Sequence, residues 1–234
     1  MSVRVAVLAS GSGTNLQAIL EYFDALGPRA GASVTLVASD RASAVALDRA
    51  RGRDIPAVHL GAEHRGDAMV ELLEAHRTDV VALAGYLRFV PSAVTRQWRG
   101  RILNVHPSLL PAFGGAGMYG ARVHQAVLDA GVRVTGTTVH FVDEEYDRGP
   151  IIAQWPVPVL PGDSVESLAR RVLAVEHVVF PQALHAVTQG VVTLGTDGRV
   201  SGIGERLTEC VGYVLSDSEI APNVSPVFPE ARAP

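Results

Sequence analysis

The chain has 234 residues, 47% of them hydrophobic, and a formal net charge of −4. That much apolar chain buries a sizeable core, which excludes disorder throughout, and the acidic balance argues against a nucleic-acid binder, which needs a basic face to release counterions. All 20 basic residues are Arg, so a Schiff-base lysine and a lysine-bearing phosphate loop are both excluded. The single cysteine, Cys210, can form neither an internal disulfide nor a two-cysteine metal or redox motif, and is expected to act as a small apolar residue. No stretch approaches the roughly 18–20 apolar residues of a membrane span. The run Val3–Ala9, broken by Arg4, is too short for a signal segment, so the expected compartment is the cytoplasm and no membrane partner is expected.

In chain order, Val3–Leu8 is a β-branched apolar run that predicts a buried strand, followed by the turn Ala9-Ser10-Gly11-Ser12-Gly13. Thr14 and Asn15 are placed to cap a helix carrying Leu16, Ile19, Leu20 and Phe23 at helical spacing. Ser33–Ala38 is a second strand, Ser43 is the expected cap of a helix running to about Arg51, and Ala57–Leu60 is a third strand. A helix over Asp67–His76 and a strand over Asp79–Ala84 follow. This alternation implies βαβ units and a parallel sheet with helices on both faces. After Gly100, Ile102–Val105 is a strand stopped by Pro107, Leu109–Gly120 is a glycine-rich loop and Arg122–Ala130 is a helix. Arg133–Val142 and Ile151–Val159 are long strands joined by the acidic turn Asp143–Gly149, so they are expected to pair antiparallel and make the sheet mixed. Asp163-Ser164 caps a helical stretch to about Gln189 that Pro181 is expected to kink or break, and Val192–Gly202 predicts a small hairpin. The expected fold is therefore α/β, a Rossmann-like, mixed, mostly parallel open sheet. Residues 1–205 form one domain, and 206–234, proline-rich and acidic, a surface extension or tail.

Four constellations can carry chemistry. The turn Gly11–Asn15 between a strand and a helix offers backbone N–H groups and a positive helix end to an anion, or is simply a tight turn. Position 16 is Leu where the dinucleotide fingerprint places its third glycine, which favours a monophosphate over a pyrophosphate. Asn104 and His106 alternate on one strand and so share a face, at the strand end where open α/β sheets bind ligands. Both can donate to a developing oxyanion, although a strand-end His is also a common structural residue. Asp147 would raise and orient His106 if it reached it, and is otherwise a solvated turn residue. Glu176, between Val175 and Val178, is either paired or bonded to ligand hydroxyls such as those of ribose. Apart from His106 and His177, the neighbour of Glu176, the histidines (His59, His64, His76, His124, His140, His185) lack metal spacing and are expected on the surface or satisfied in the core.

Several motifs, in order, now carry a resemblance: Ser10–Gln17, Leu83–Arg88, Asn104-Val105-His106-Pro107-Ser108-Leu109-Leu110-Pro111, Gly136–Val142 and Asp147–Ile151. Over about residues 3–190 the chain resembles the phosphoribosylglycinamide formyltransferase family. The Asn-x-His-Pro-Ser motif belongs to a wider formyltransferase superfamily, and the N-terminal glycine turn discriminates within it. The resemblance implies transfer of a formyl group from 10-formyltetrahydrofolate to the amine of glycinamide ribonucleotide in purine synthesis, with no metal. By motif match Asn104, His106 and Asp147 would be catalytic, Gly13, Thr14 and Asn15 would hold the substrate phosphate, and Glu176 the ribose. Arg88, Phe89, Val90, Val142, Asp143 and Glu144 would line the folate pocket, with Arg65 near the glutamate tail. The partners implied are these two small molecules, with the protein a monomer or a homodimer. The chain departs from the family in its longer glycine-rich loop Ala112–Gly120 and in Leu173, where a Gln is usual.

The rivals are other uses of the same parts. A tRNA formyltransferase would need a further C-terminal domain and a basic surface, and a formyltetrahydrofolate deformylase an extra domain before the glycine turn. A dinucleotide oxidoreductase would use Asp40 on the ribose, but leaves the Asn104/His106 pair unexplained. A non-catalytic ligand-binding domain has no use for an oxyanion site.

Overall fold

The computed structural model describes residues 2–61 and 66–202. The boundary expected near 205, the stretch 206–234, Cys210 and Arg65 all lie outside the described residues.

Seven strands form one sheet: β1 (Val3–Leu8), β2 (Ala32–Ser39), β3 (Ala57–His59), β4 (Val80–Leu83), β5 (Ile102–His106), β6 (Val134–Phe141) and β7 (Ile151–Pro158). Their order is β3-β2-β1-β4-β5-β6-β7. The first five are parallel, while β6 is antiparallel to both β5 and β7, so the sheet is mixed as the acidic turn implied. A separate hairpin pairs β8 (Thr193–Leu194) with β9 (Val200–Ser201).

Both faces of the sheet are covered. Strand β1 shows why: successive side chains point to opposite sides, and Val5, Ala6, Val7 and Leu8 are all fully buried. Val5 and Val7 join a core with helices α1 (Thr14–Leu26), α2 (Val45–Arg51) and α6 (Val165–Thr188), whereas Ala6 and Leu8 join a second core with α3 (Asp67–Ala75) and α4 (Ser92–Gln97). A further helix, α5 (Ala121–Asp129), packs on α6.

Several expectations about helix ends need correction. Helix α1 is entered from Gly13 at φ 69°, with no side-chain cap, and Thr14 and Asn15 lie inside its first turn. A Cβ on Gly13 would stand 2.8 Å from Ala46 of α2, so glycine serves both the left-handed backbone and the close approach. Helix α2 begins after Ala44 without a side-chain cap, so Ser43 is not its cap. Pro181 does not break α6, which runs unbroken to Thr188. The lost hydrogen bond is outweighed by burial of Val179, Phe180, Ala183 and Leu184 around it. The expected cap of α6 holds: Ser164 Oγ accepts the Ser167 N–H in a reciprocal capping box.

Strand β1 runs between β2 and β4, so the chain crosses over in opposite directions from its two sides. At this switch point the turns after β1, β4 and β5 open a crevice at the carboxyl end of the sheet.

Candidate active site

The crevice is a cleft of about 660 Å³, lined among others by Ser12, Thr14, Asn15, Asn104, His106 and Glu176. Arg88, Phe89, Val90, Val142, Asp143 and Asp147 line it as well. The turn after β1, the end of β5, the acidic turn after β6 and the middle of α6 therefore meet. Gly13 and Glu144 are not among the lining residues. Gly13 sits behind the turn against α2, and Glu144 reaches out to Arg96, 3.2 Å away.

Asn104 and His106 lie on the same face of β5, as alternation requires, and His106 is buried. The antiparallel register sets His140 of β6 directly opposite Asn104. Asn104 Nδ2 is 3.1 Å from His140 Nε2, and His140 Nδ1 is 2.8 Å from the Phe141 carbonyl. The Phe141 carbonyl can only accept, so His140 Nδ1 carries a proton, and its Nε2 faces both the Asn104 amide and the Asp147 carboxylate. The second Asn104 N–H is left for a ligand.

Asp147 stands between two imidazoles. Its Oδ2 is 3.6 Å from His106 Nδ1 and its Oδ1 is 3.7 Å from His140 Nε2. Of the two readings left open for Asp147, the structure places it beside His106 rather than out in solvent. Asp147 occupies the left-handed region at φ 54°, which Asp tolerates better than most residues. Its turn is pressed tightly into the sheet, since a Cβ on Gly149 would lie 1.9 Å from the Phe141 carbonyl oxygen.

The glycine-rich loop completes the cluster. The Phe113 carbonyl accepts from His106 Nε2 at 2.9 Å, and the Gly115 N–H donates to Asp147 Oδ2 at 2.9 Å. The preceding Pro107–Ala112 turn is locked onto β6: the Thr138 hydroxyl donates to the Ser108 carbonyl at 2.6 Å and accepts the Leu110 N–H at 3.0 Å.

Burial and charge compete at these groups. Burial works to raise the Asp147 carboxyl, but His140, His106 and the Gly115 N–H together hold it below the usual carboxylate range. For His106 the balance runs the other way. Burial lowers it more than Asp147 and the Phe113 carbonyl raise it, so the net direction is down. The expected influence of Asp147 is present, but desolvation outweighs it. The Phe113 carbonyl can only accept, so His106 carries a proton on Nε2.

On the opposite wall, Glu176 is buried and accepts from Asn15 Nδ2 at 2.7 Å. Burial pushes its carboxyl up to about 7 despite that hydrogen bond. Asn15 Oδ1 is buried without a hydrogen-bond partner among the described residues, an acceptor that a ligand hydroxyl can satisfy. Above this pair, the first-turn N–H groups of α1 have no side-chain cap and suit an anion. Arg49 braces the turn through Nε, which donates to the Ser12 carbonyl at 2.8 Å.

Three residues in the cleft, His140, His124 and Tyr146, were given no role by the sequence. His140 and His124, expected on the surface or satisfied in the core, both line the cleft and are both buried. Tyr146 and Phe89 pack edge to face across the mouth, with centroids 5.0 Å apart. Leu173 lines the cleft with an apolar side chain. Among the described residues, no group of three or more His, Cys, Asp or Glu is arranged to hold a metal ion, and no helix is long and apolar enough to cross a membrane.

A family model described as formyl transferase matches residues 3–184, most of the chain. The chain belongs to the formyl transferase family. Among relatives of this family member is the Bos taurus protein named trifunctional purine biosynthetic protein adenosine-3, 45% identical over 208 residues, covering 86% of this chain and 20% of that one. The chain thus spans about a fifth of the length of that relative. An Arabidopsis thaliana protein named phosphoribosylglycinamide formyltransferase, chloroplastic, is 37% identical over 202 residues, which is 83% of this chain and 68% of the other. The crystal structure of glycinamide ribonucleotide transformylase 1 from Symbiobacterium toebii superposes with a TM-score of 0.77 at 43% identity, covering 85% of this chain and 93% of that one.

Proposed function

We propose that this formyl transferase moves the formyl group of 10-formyltetrahydrofolate to the amine of 5′-phosphoribosylglycinamide, a step of purine nucleotide synthesis. One observation carries the reading: the Asn104–His106–Asp147 cluster shares a cleft with the uncapped turn and the Asn15–Glu176 pair. One wall can stabilise charge on a carbonyl, and the other can hold a phosphorylated sugar. The cleft volume suits small molecules, and the unpaired Asn15 Oδ1 fits a ribose hydroxyl.

In this reading the first turn of α1, with Thr14 and Asn15, receives the substrate phosphate, and Asn15 and Glu176 receive the ribose. Gly13 acts through backbone shape. Arg88, Phe89, Val90, Val142 and Asp143 form the folate wall. Glu144 acts at a distance by tethering the acidic turn to Arg96 of α4.

The reaction forms a bond between the amine nitrogen and the formyl carbon, and breaks the bond from that carbon to the folate nitrogen. One proton passes from the first nitrogen to the second. The free N–H of Asn104 and the imidazolium of His106 donate to the oxyanion that develops between these events. Burial opposes the charging of His106, and the Asp147 carboxylate makes it attainable. Asp147 and His106, 3.6 Å apart, carry the proton between the two nitrogens. The reading calls for no metal ion, for two small-molecule substrates, for a monomer or homodimer, and for action in the cytoplasm, although the Arabidopsis relative is named as chloroplastic.

The test is amine-dependent release of tetrahydrofolate, followed by absorbance. The expected result is turnover only when glycinamide ribonucleotide is present. Folate hydrolysis without the amine would make water the acceptor and replace this reading with a deformylase.

A further inference from the structure

Asp40 follows β2 at the position where a dinucleotide-binding sheet keeps its ribose acid. Here its carboxylate is engaged with protein. The Asp40 side chain is 6% exposed. Oδ1 accepts from the Ser10 hydroxyl at 2.5 Å and Oδ2 from Arg88 Nε at 3.1 Å. Because the Ser10 hydroxyl points its hydrogen at Asp40, a lone pair is left for the Leu87 N–H, which donates at 2.8 Å. The Ser10 N–H in turn donates to the Gly85 carbonyl at 3.0 Å.

These contacts join three neighbouring strand ends. Asp40 follows β2, Ser10 follows β1, and Gly85, Leu87 and Arg88 follow β4. Ser10 is also the residue from which the glycine turn departs. The segment from Gly85 to Val90 has no helix or strand of its own to fix it, so its place rests on such contacts. Burial and the Asp40 charge hold the Tyr86 hydroxyl at about 12, so it stays a neutral neighbour of the carboxylate.

We propose that Asp40 is a positioning residue for the folate side of the cleft: it fixes the Gly85–Val90 wall through Arg88 Nε and through the Ser10 hydroxyl. The inference rests on the proposed folate-dependent reaction and adds a residue that does not itself line the cleft. Arg88 is 57% exposed and lines the cleft, so releasing it changes the shape and charge of one wall while leaving the Asn15–Glu176 wall in place.

Asp40→Asn keeps the size of the side chain but cannot accept from both Ser10 and Arg88. The expected result is a rise of about tenfold in the KM for 10-formyltetrahydrofolate, the loss of one charge-assisted hydrogen bond. The KM for glycinamide ribonucleotide and kcat should stay within about twofold, since each depends on groups outside the network. Tetrahydrofolate binding, titrated by intrinsic fluorescence, should weaken in parallel. In an Arg88→Gln background, adding Asp40→Asn should change the folate KM much less than it does in wild type. A folate KM and Kd unchanged by Asp40→Asn in an active enzyme would overturn the inference alone. So would an equal rise in both KM values with a lower Tm, the mark of general loosening. A wild-type chain that neither binds nor turns over the folate would overturn the functional reading and this inference with it.

Discussion

Replacing Asp147 by Asn isolates the charge of the acidic turn. Asn has nearly the same volume and its carbonyl can still accept the Gly115 N–H, so the turn is expected to stay folded. What disappears is the negative charge 3.6 Å from His106 Nδ1. Two unit charges at that distance interact by about 4–5 kcal/mol at an effective dielectric of about 20. Asn keeps part of this through its dipole, which leaves a loss of roughly 3–4 kcal/mol wherever His106 is charged. Burial already lowers His106 in the free chain, so without Asp147 the imidazolium is reached only at the top of the barrier and at greater cost. That converts to a fall in kcat of about 10²–10³-fold, with both KM values within about threefold. Steady-state release of tetrahydrofolate across pH 6–9, with thermal unfolding run beside it, measures the effect. An Asp147→Asn variant within tenfold of wild-type kcat would refute the claim that this carboxylate supports a charged His106.

Three further outcomes follow from the same coordinates. Glu176 is raised to about 7 from 4.5, so its contribution to stability is full below about 4.5 and is lost as pH rises through 7. That difference is on the order of 3 kcal/mol. The unliganded wild type should therefore lose roughly 5–10 °C more than Glu176→Gln between pH 5 and pH 8 in thermal melts, and parallel curves would show the carboxyl is not buried as described. Gly149→Ala must displace backbone, because its Cβ would meet the Phe141 oxygen at 1.9 Å. Denaturant midpoints should report a loss of at least about 2 kcal/mol, and kcat should fall as the Asp147 turn moves; a neutral result would mean the turn is looser than it stands. Arg49→Gln removes the brace on the Ser12 carbonyl and should raise the KM for glycinamide ribonucleotide by about 3–10-fold while sparing the folate KM. Equal effects on both substrates would detach Arg49 from the phosphate turn.

The parts of the site that sequence made legible are those fixed by short-range rules. Alternation along β5 puts Asn104 and His106 on one face, and the strand–glycine–helix succession places the turn at Gly11–Asn15 over a helix end. The paired long strands and their acidic turn announced the mixed sheet. His140 was not legible because its role comes from the register of β6 on β5, and a slip of one residue would have turned it to the other face. The Phe113 carbonyl and Gly115 N–H were hidden for a related reason: they are backbone groups of a loop that folds back over the strand end, and backbone atoms carry no side-chain signature. The caps expected of Thr14, Asn15 and Ser43 failed where the chain enters a helix by close packing rather than by a side-chain bond. The net direction at His106 depended on the depth of its burial, which no local pattern encodes.

The two walls of the cleft have separate origins in the chain. In the proposed reading the acceptor wall is built from the turn after β1 and the middle of α6, whereas the transfer wall is built from β5, β6 and the loops that follow them. On that reading, recognition of the nucleophile and activation of the carbonyl fall to separate segments of the chain, so a change of amine would call for rebuilding two short surfaces and leave the charge-stabilising half as it stands.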